Sequence, residues 1–255
     1  MSSEYDVLVI GSGFGGSVSA LRLSEKGYRV GVLEAGRRFA DGDFPKTSWD
    51  ARRFLWAPKF GCKGIQRIHA LPDVVVLAGA GVGGGSLVYA NTLYRPQSKR
   101  FYRDPQWDHI TDWEAELAPH FDEASRMLGV VTNPTTTFPD ELYREVAEEM
   151  GVGETFHSAP VGVFFGRDGA KEPGVRVTDP YFGGAGPDRV GCIECGECMV
   201  GCRHNAKNTL VKNYLFLAER AGVEVHAETT VTRVTPRAGG GYLVETERSG
   251  AWFAR

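Results

Sequence analysis

Two constellations in this chain have residue types and spacing that could do chemistry. The first is Cys192-Ile-Glu-Cys195-Gly-Glu-Cys198-Met-Val-Gly-Cys202, which holds four of the five cysteines in a C-x2-C-x2-C-x3-C pattern. Short loops with glycine let several thiolates converge on one centre, and bacterial ferredoxins bind iron–sulfur clusters with this spacing. Arg203 stands where those ferredoxins carry proline, and there is no second run to share a fourth cysteine with. A single cluster would take three of these sulfurs plus one more, with Cys62 available outside the run. Two other readings stay open. Structural zinc is one, although zinc sites usually place a longer loop between their two knuckles. Free or disulfide-forming thiols that only shape the turn are the other. Glu194 and Glu197 make the run acidic, while Arg203, His204 and Lys207 follow it, a mixture that favours none of the three.

The second constellation is built on glycine. Val7-Leu-Val-Ile10 leads into Gly11-Ser-Gly13-Phe-Gly15-Gly16, then a helix-like run, then Val30-Gly-Val-Leu33-Glu34. Strand, glycine turn, helix, strand and acid follow in the order that a bound dinucleotide requires. Gly11 permits the tight turn out of the first strand. Gly13 lets backbone approach a pyrophosphate, and Gly16 lets helix and strand pack closely. The helix N-terminus offers free N–H groups and the positive end of its dipole to phosphate. Glu34, at the end of the second strand, can accept both hydroxyls of a ribose. Further on, Val74-Val-Val-Leu77 enters Ala78-Gly79-Ala-Gly81-Val-Gly83-Gly84-Gly85-Ser86. A strand entering a second glycine loop fits a second stretch of backbone along one ligand.

The elements that must position these residues follow from periodicity. Residues 7–10 read as a buried parallel strand. Residues 14–25 read as a helix, with Val18, Leu21 and Leu23 towards its buried side and Gly27 ending it. Residues 28–34 form the second strand, and residues 37–72 read as irregular. Helices are predicted at about 113–128, across Pro119, and at about 140–150. Residues 208–221 are predicted as one helix, with Leu210, Tyr214, Leu217, Ala218 and Ala221 at helical spacing and Gly222 as its stop. Strands follow at 223–226, 229–234 and 242–246. The expected fold class is α/β: a Rossmann-like, doubly wound parallel sheet assembled from residues 1–95 and 196–255. Residues 96–195 are expected to form part of a substrate or cap domain ending in the Cys run. Arg248-Ser-Gly250 starts a hairpin whose returning strand is cut at Arg255, leaving an exposed edge. The chain is therefore expected to be the N-terminal part of a longer protein.

A length of 255 residues with 42% hydrophobic content suits one or two globular domains with a sizeable core. A net charge of −3 leaves no nucleic-acid footprint. No apolar run is long enough to span a bilayer. The start, Met1-Ser-Ser-Glu-Tyr-Asp6, has no basic n-region, so no secretory signal is read and a cytoplasmic, reducing compartment is expected.

With both glycine loops in view, the chain resembles the glucose–methanol–choline (GMC) oxidoreductases, and within them the cholesterol oxidase-like branch. The residues that carry the resemblance are Val9-Ile-Gly-Ser-Gly-Phe-Gly-Gly16, Val32-Leu-Glu-Ala-Gly36, Gly81-Val-Gly-Gly-Gly-Ser-Leu-Val88, Ala206-Lys-Asn-Thr-Leu210 and Thr230-Val-Thr-Arg-Val234. The resemblance implies FAD rather than NAD. It assigns Gly11, Gly13, Phe14, Gly15 and Gly16 to the pyrophosphate, and Glu34, with Ala35 and Gly36 beside it, to the adenosine ribose. It runs Gly81, Gly84, Gly85 and Ser86 past the pyrophosphate toward the flavin ring, and gives the adenine edge to the backbone of Val231. Tyr89-Ala-Asn91-Thr92 replaces the Asn-Gly-Gly-Met of cholesterol oxidases, so Asn91, or backbone near Tyr89, is expected to touch the flavin, and a sterol substrate is put in question. The family's catalytic histidine lies near the C-terminus of a chain about twice as long. None of His69, His109, His120, His157, His204 and His226 matches it.

The resemblance thus implies hydride transfer from the carbinol carbon of an apolar, sterol-like alcohol to the flavin. A base in a C-terminal part would take the hydroxyl proton, and O2 or an external acceptor would take the electrons. A cluster at the Cys run would favour the external acceptor. A non-catalytic FAD- or cluster-binding module, or one half of a split enzyme, is the alternative from a different class. A nicotinamide dehydrogenase is disfavoured by the second glycine loop. Of the remaining features, Trp49, Phe54, Trp56 and Phe60 with Arg52, Arg53 and Lys59 read as a packed irregular segment or as a lid or membrane-docking loop for an apolar alcohol. Asp179-Pro-Tyr-Phe-Gly-Gly reads as a turn. His226 reads as a structural histidine on a buried strand.

Overall fold

Valine and leucine dominate the first two strands, and such side chains fit a pleated surface buried on its faces. In the computed structural model, which describes residues 4–251, β1 (Val7–Ile10) and β2 (Val30–Leu33) pair in parallel with Val9 opposite Val32. The Glu224–His226 strand adds to the other side of β2, also in parallel, with Val225 opposite Val32. β2 is thus the middle strand of three, and all four of its residues are buried. α1 (Phe14–Glu25) connects β1 to β2 and packs on the Tyr214–Arg220 helix. Ala20, Leu21, Val30, Val32, Leu215 and Ala218 form the core between them. The architecture is mixed α/β.

Several elements differ from expectation. Among the described residues the parallel sheet has three strands rather than a full doubly wound set, and β1 is an edge strand whose Ile10 is 56% exposed. The supposedly irregular stretch contains the Gln66–Ala70 strand, which pairs antiparallel with Val75–Gly79. Its only alternation, Arg67-Ile68-His69-Ala70, is too short to mark a strand without the partner. The single helix at 208–221 is instead one 3-10 turn, Leu210–Lys212, followed by the Tyr214–Arg220 helix. Asn213 breaks it: its side chain accepts the N–H of Tyr214 at 2.6 Å, competing with the helical ladder, as asparagine does at caps. His226 is only half-buried, and its ring meets the Tyr5 hydroxyl at 2.6 Å. The returning strand expected near Arg255 lies outside the described residues.

The helices of the middle region start where their caps predict. Asp112 accepts the Ala115 N–H to open Trp113–Met127, and Thr137 with Asp140 forms a capping box ahead of Phe138–Glu149. The aromatic segment divides. Phe54 packs against the core formed by Phe39, Phe44, Ile65 and Leu87, whereas Trp49 and Phe60 are exposed.

Asp179 organises the turn that follows it, accepting backbone N–H groups of Tyr181, Phe182, Gly184 and Gly186 at 2.7–3.1 Å. Burial opposes its charge, but the four donors outweigh burial and hold its carboxyl below the usual range. A depressed folded-state pKa contributes stability above the unfolded value of about 4 and loses it as pH falls through the folded value. Asp179→Asn is therefore expected to cost about 1 kcal/mol at neutral pH, after allowing for partial exposure. The gap to wild type should close as the pH of a thermal melt is lowered below about 4. A gap independent of pH would show that the carboxylate charge is not what holds the turn.

Candidate functional site

The two glycine loops are stitched together by a serine. Gly11, in the left-handed region at φ 93°, turns the chain out of β1 while its N–H stays bonded to Leu33 O at 2.8 Å. Ser12 follows, fully buried. Its N–H and Oγ–H both donate to Glu34 Oε2, at 3.0 and 2.6 Å, and its Oγ accepts the N–H of Gly83 from the second loop at 3.0 Å. Glu34 Oε1 accepts the Gly36 N–H at 2.8 Å. Three donors therefore fix the acid at the end of β2, and one hydroxyl ties acid, first loop and second loop into a unit. Nothing in the spacing singled out Ser12, because the variable position of G-x-G takes many residues. The strand carrying Val231 is tied to the same unit, since Thr229 N–H donates to Glu34 O at 2.8 Å and Glu228 N–H to Gly36 O at 2.9 Å.

These segments surround a cavity of about 780 Å³, within the range of small-molecule sites. Of the expected residues, Gly11, Gly13, Phe14, Glu34, Ala35, Gly84, Gly85 and Val231 line it. Gly15, Gly16, Gly36, Gly81, Ser86 and Asn91 do not. Gly16 packs instead: a Cβ there would lie 1.9 Å from Gly11 O. Gly36 and Gly81 back onto each other, a Cβ at Gly36 falling 2.0 Å from Gly81 N. Ser86 is buried, donating to Gly83 O at 2.7 Å and accepting the Leu210 N–H at 3.0 Å. A Cβ at Gly13 would meet no protein atom within 4 Å, so this glycine leaves room on the cavity side. Gln66 and Arg67 of the unforeseen strand line the cavity as well, as do Tyr89, Ala90 and Met199.

Asn91 faces elsewhere. It adopts φ 62°, and its Nδ2 donates to Cys198 Sγ at 3.2 Å. That sulfur belongs to a second cavity, of about 430 Å³, lined by Cys192, Cys195, Cys198 and Cys202 together. The cysteines are free thiols, and Cys62 is not among the lining residues. Burial pushes the Cys192 and Cys198 thiols up. Beside them Lys207 is buried, its Nζ donating to the carbonyls of Leu87, Tyr89 and Cys198, and burial pushes its pKa down to about 8. Tyr89 lines the first cavity and meets Lys207 of the second, which donates to its carbonyl at 3.1 Å. Its ring meets Phe14 edge-on at 6.1 Å, its hydroxyl donates to Asn208 O at 3.1 Å, and burial raises its pKa well above the ordinary value.

None of the histidines lines the first cavity, and His204 lines the second. Ser12→Ala is expected to weaken retention of a ligand bound between the loops by about tenfold and to lower apo stability by about 1–3 kcal/mol, because it leaves the Gly83 N–H unpaired in the interior. Titration of apoprotein with ligand, alongside thermal melts, checks both numbers; unchanged values would mean that the two loops hold each other without the hydroxyl.

The chain matches the family model for "GMC oxidoreductase" over residues 5–251. It is 66% identical to a cholesterol oxidase of Mycobacterium tuberculosis (strain CDC 1551 / Oshkosh), over 100% of this chain and 44% of that protein. It is 46% identical to a cholesterol oxidase of Acinetobacter baumannii, over 98% of this chain and 46% of that protein. The chain thus spans about half the length of the curated relatives it matches. A solved FAD-dependent oxidoreductase from Chaetomium thermophilum shares the fold, with a TM-score of 0.57 at 15% identity over 98% of this chain and 43% of that one. No described helix is long and apolar enough to cross a membrane. The family match covers both glycine loops, the buried Glu34 and the Val231 strand that together enclose the first cavity, and the chain belongs to the GMC oxidoreductase family.

Proposed function

We propose that this chain is the FAD-binding part of an oxidoreductase that oxidises the CH–OH group of an apolar, sterol-like alcohol. The observation that carries the reading is the unit formed by Ser12, Glu34 and Gly83, which holds two glycine loops against one cavity. The fit to FAD rests on the cavity walls. The space left open at Gly13, beside the N-terminus of α1, suits a pyrophosphate, and the buried acid beside it suits a ribose. Val231 suits the adenine edge, and Gly84 and Gly85 the path toward the ring. When bound, FAD supplies the hydride acceptor. In this reading residues 1–95 and 196–255 bind the cofactor, and residues 96–195 belong to the substrate side. The 66% identity with a protein named cholesterol oxidase supports the sterol-like class.

A hydroxyl proton must leave as the hydride does, and a base with a pKa near neutrality suits that task. None of the six histidines lines the cavity, so in this reading the base and the remaining sheet strands come from a part of the protein outside these 255 residues. O2 or a separate acceptor then takes the electrons. Free cysteines fit a reducing, cytoplasmic compartment.

The test is anaerobic addition of sterols, aliphatic alcohols and aryl alcohols to the flavin-loaded, full-length protein. Bleaching of the flavin's visible bands by sterols, with a ketone formed, is the expected result. Flavin-loaded protein that no alcohol reduces would instead establish a non-catalytic FAD-binding module.

A further inference from the structure

The charges around the cysteine cavity are unbalanced. Lys207 is 1% exposed and Arg189 0%. Lys207 Nζ donates to three carbonyl oxygens, at 2.7–3.1 Å, and lies 4.9 Å from the centre of the Tyr89 ring, with no anion among these partners. Arg189 donates from Nη2 to the carbonyls of Ala206 and Lys207 at 2.8 and 3.0 Å, while its Nε and Nη1, both buried, meet no acceptor. Asp41 acts on Arg189 from farther off but already holds Lys212 at 2.8 Å. A guanidinium does not shed its proton in a protein, and a buried cation without an anion is costly. Cys198 and Cys202 line the cavity together with Lys207, whose backbone N–H reaches Cys202 Sγ at 3.4 Å. A neutral thiol cannot balance these cations. A thiolate bound to a metal can, because coordination removes the proton outright.

The sulfurs are also supplied with donors. Glu194 N–H points to Cys192 Sγ at 3.3 Å, Asn91 Nδ2 to Cys198 Sγ at 3.2 Å, and Lys207 N–H to Cys202 Sγ at 3.4 Å. Such bonds favour anionic sulfur and tune the potential of a centre bound to it.

Spacing discriminates between centres. One zinc ion with bonds of about 2.3 Å draws tetrahedral sulfurs to within about 4 Å of one another. Among the described residues, the one set of three potential ligand atoms within 4.8 Å of each other is Cys195, Glu197 and His204, which has a single sulfur, and Glu197 is paired with Arg203 at 2.5 Å. No three of the four sulfurs lie within 4.8 Å of one another, a wider spacing than a single ion requires. A cluster, which carries its thiolates on separate irons, reaches across such a ring.

We propose that Cys192, Cys195, Cys198 and Cys202 together bind one iron–sulfur cluster in this cavity, with Arg189 and Lys207 as its buried counter-cations. The run then supplies all four ligands without Cys62. The placement gives the cluster a use. Ala90 and Met199 line the first cavity, while their chain neighbours Asn91 and Cys198 line the second, so the two cavities adjoin at these two segments. Resting on the flavin reading, the cluster would accept the two electrons of reduced flavin one at a time, with the accompanying protons released to water. It would pass them to an external one-electron acceptor protein.

The test uses full-length protein purified without oxygen, with iron, acid-labile sulfide, zinc and FAD each assayed per chain. Iron and sulfide in equal amounts, with an electron paramagnetic resonance signal that changes on reduction by dithionite, are expected. Cys195→Ser and Cys202→Ser should each lose most of that iron and sulfide while keeping FAD. Lys207→Met should retain the cluster but move its midpoint potential negative, because adding an electron loses a nearby cation; a lysine that only packs would lower stability without moving the potential. Zinc without sulfide overturns the proposal. So does metal-free protein that iron and sulfide cannot reconstitute. FAD without iron or sulfide removes the cluster and leaves the flavin reading; iron and sulfide without FAD does the opposite.

Discussion

Gly13→Ala is expected to strip the protein of its flavin and leave the apo fold unchanged, whereas Gly16→Ala is expected to break the fold itself. The two glycines stand three residues apart in one motif, yet their surroundings are opposite. Gly13 has φ −69°, which any residue adopts, and an added Cβ would meet no protein atom within 4 Å. A methyl group there costs the empty protein within about 0.5 kcal/mol. It occupies the space where we place the pyrophosphate, and a loss of about 100-fold in FAD affinity, about 2.7 kcal/mol, is expected. At Gly16 the Cβ would fall 1.9 Å from Gly11 O and 3.2 Å from Val9 Cγ1. The nearer atom is backbone, and no rotamer change relieves it. A destabilisation of about 3 kcal/mol or more follows, with flavin lost as a consequence of unfolding. Thermal melts of both apoproteins and FAD titrations separate the cases. A Gly13→Ala protein that binds FAD like wild type would exclude the first glycine loop as the pyrophosphate site.

Glu34→Ala should combine both losses. The carboxylate is 7% exposed and is the acceptor for Ser12 N–H, Ser12 Oγ–H and Gly36 N–H. Removing it leaves buried backbone donors unpaired, at about 1–3 kcal/mol each, and releases Ser12 from the position that holds Gly83. A stability loss of about 2–4 kcal/mol is expected, together with a flavin affinity reduced by about 100-fold or more. Glu34→Gln is the sharper probe. It keeps the shape but turns one acceptor into a donor facing N–H groups, so most of the loss should remain. Full rescue by glutamine would show that shape, and not the carboxylate's acceptor capacity, holds the loops.

The chain order strand, Gly11 to Gly16, helix, strand, Glu34 was legible because each step is local: a turn needs glycine, a buried parallel strand needs branched apolar residues, and a helix end needs a stop. The same locality made the Trp113–Met127 and Phe138–Glu149 helices readable from their caps. Local signals failed where a distant partner decides. Gln66–Ala70 is a strand because Val75–Gly79 pairs with it, and the helix expected from Asn208 starts only at Tyr214 because Asn213 caps it. The site shows the same division. Gly13, Glu34, Gly84 and Val231 could be named from motif and resemblance, and they face one cavity. Asn91 could not be placed, because its orientation depends on Cys198, 107 positions away.

The sequence by itself determined the α/β pattern, the two glycine loops, the acid after β2 and the spacing of the four cysteines, since these are properties of neighbouring residues. The tertiary structure alone decided that Ser12 joins the two loops. It also decided that Gly16 packs while Gly13 leaves space, and that the cysteine cavity adjoins the first with two buried cations beside it. Those facts depend on contacts between segments far apart in the chain, and on burial, which turns an ordinary lysine or arginine into a charge that must be answered.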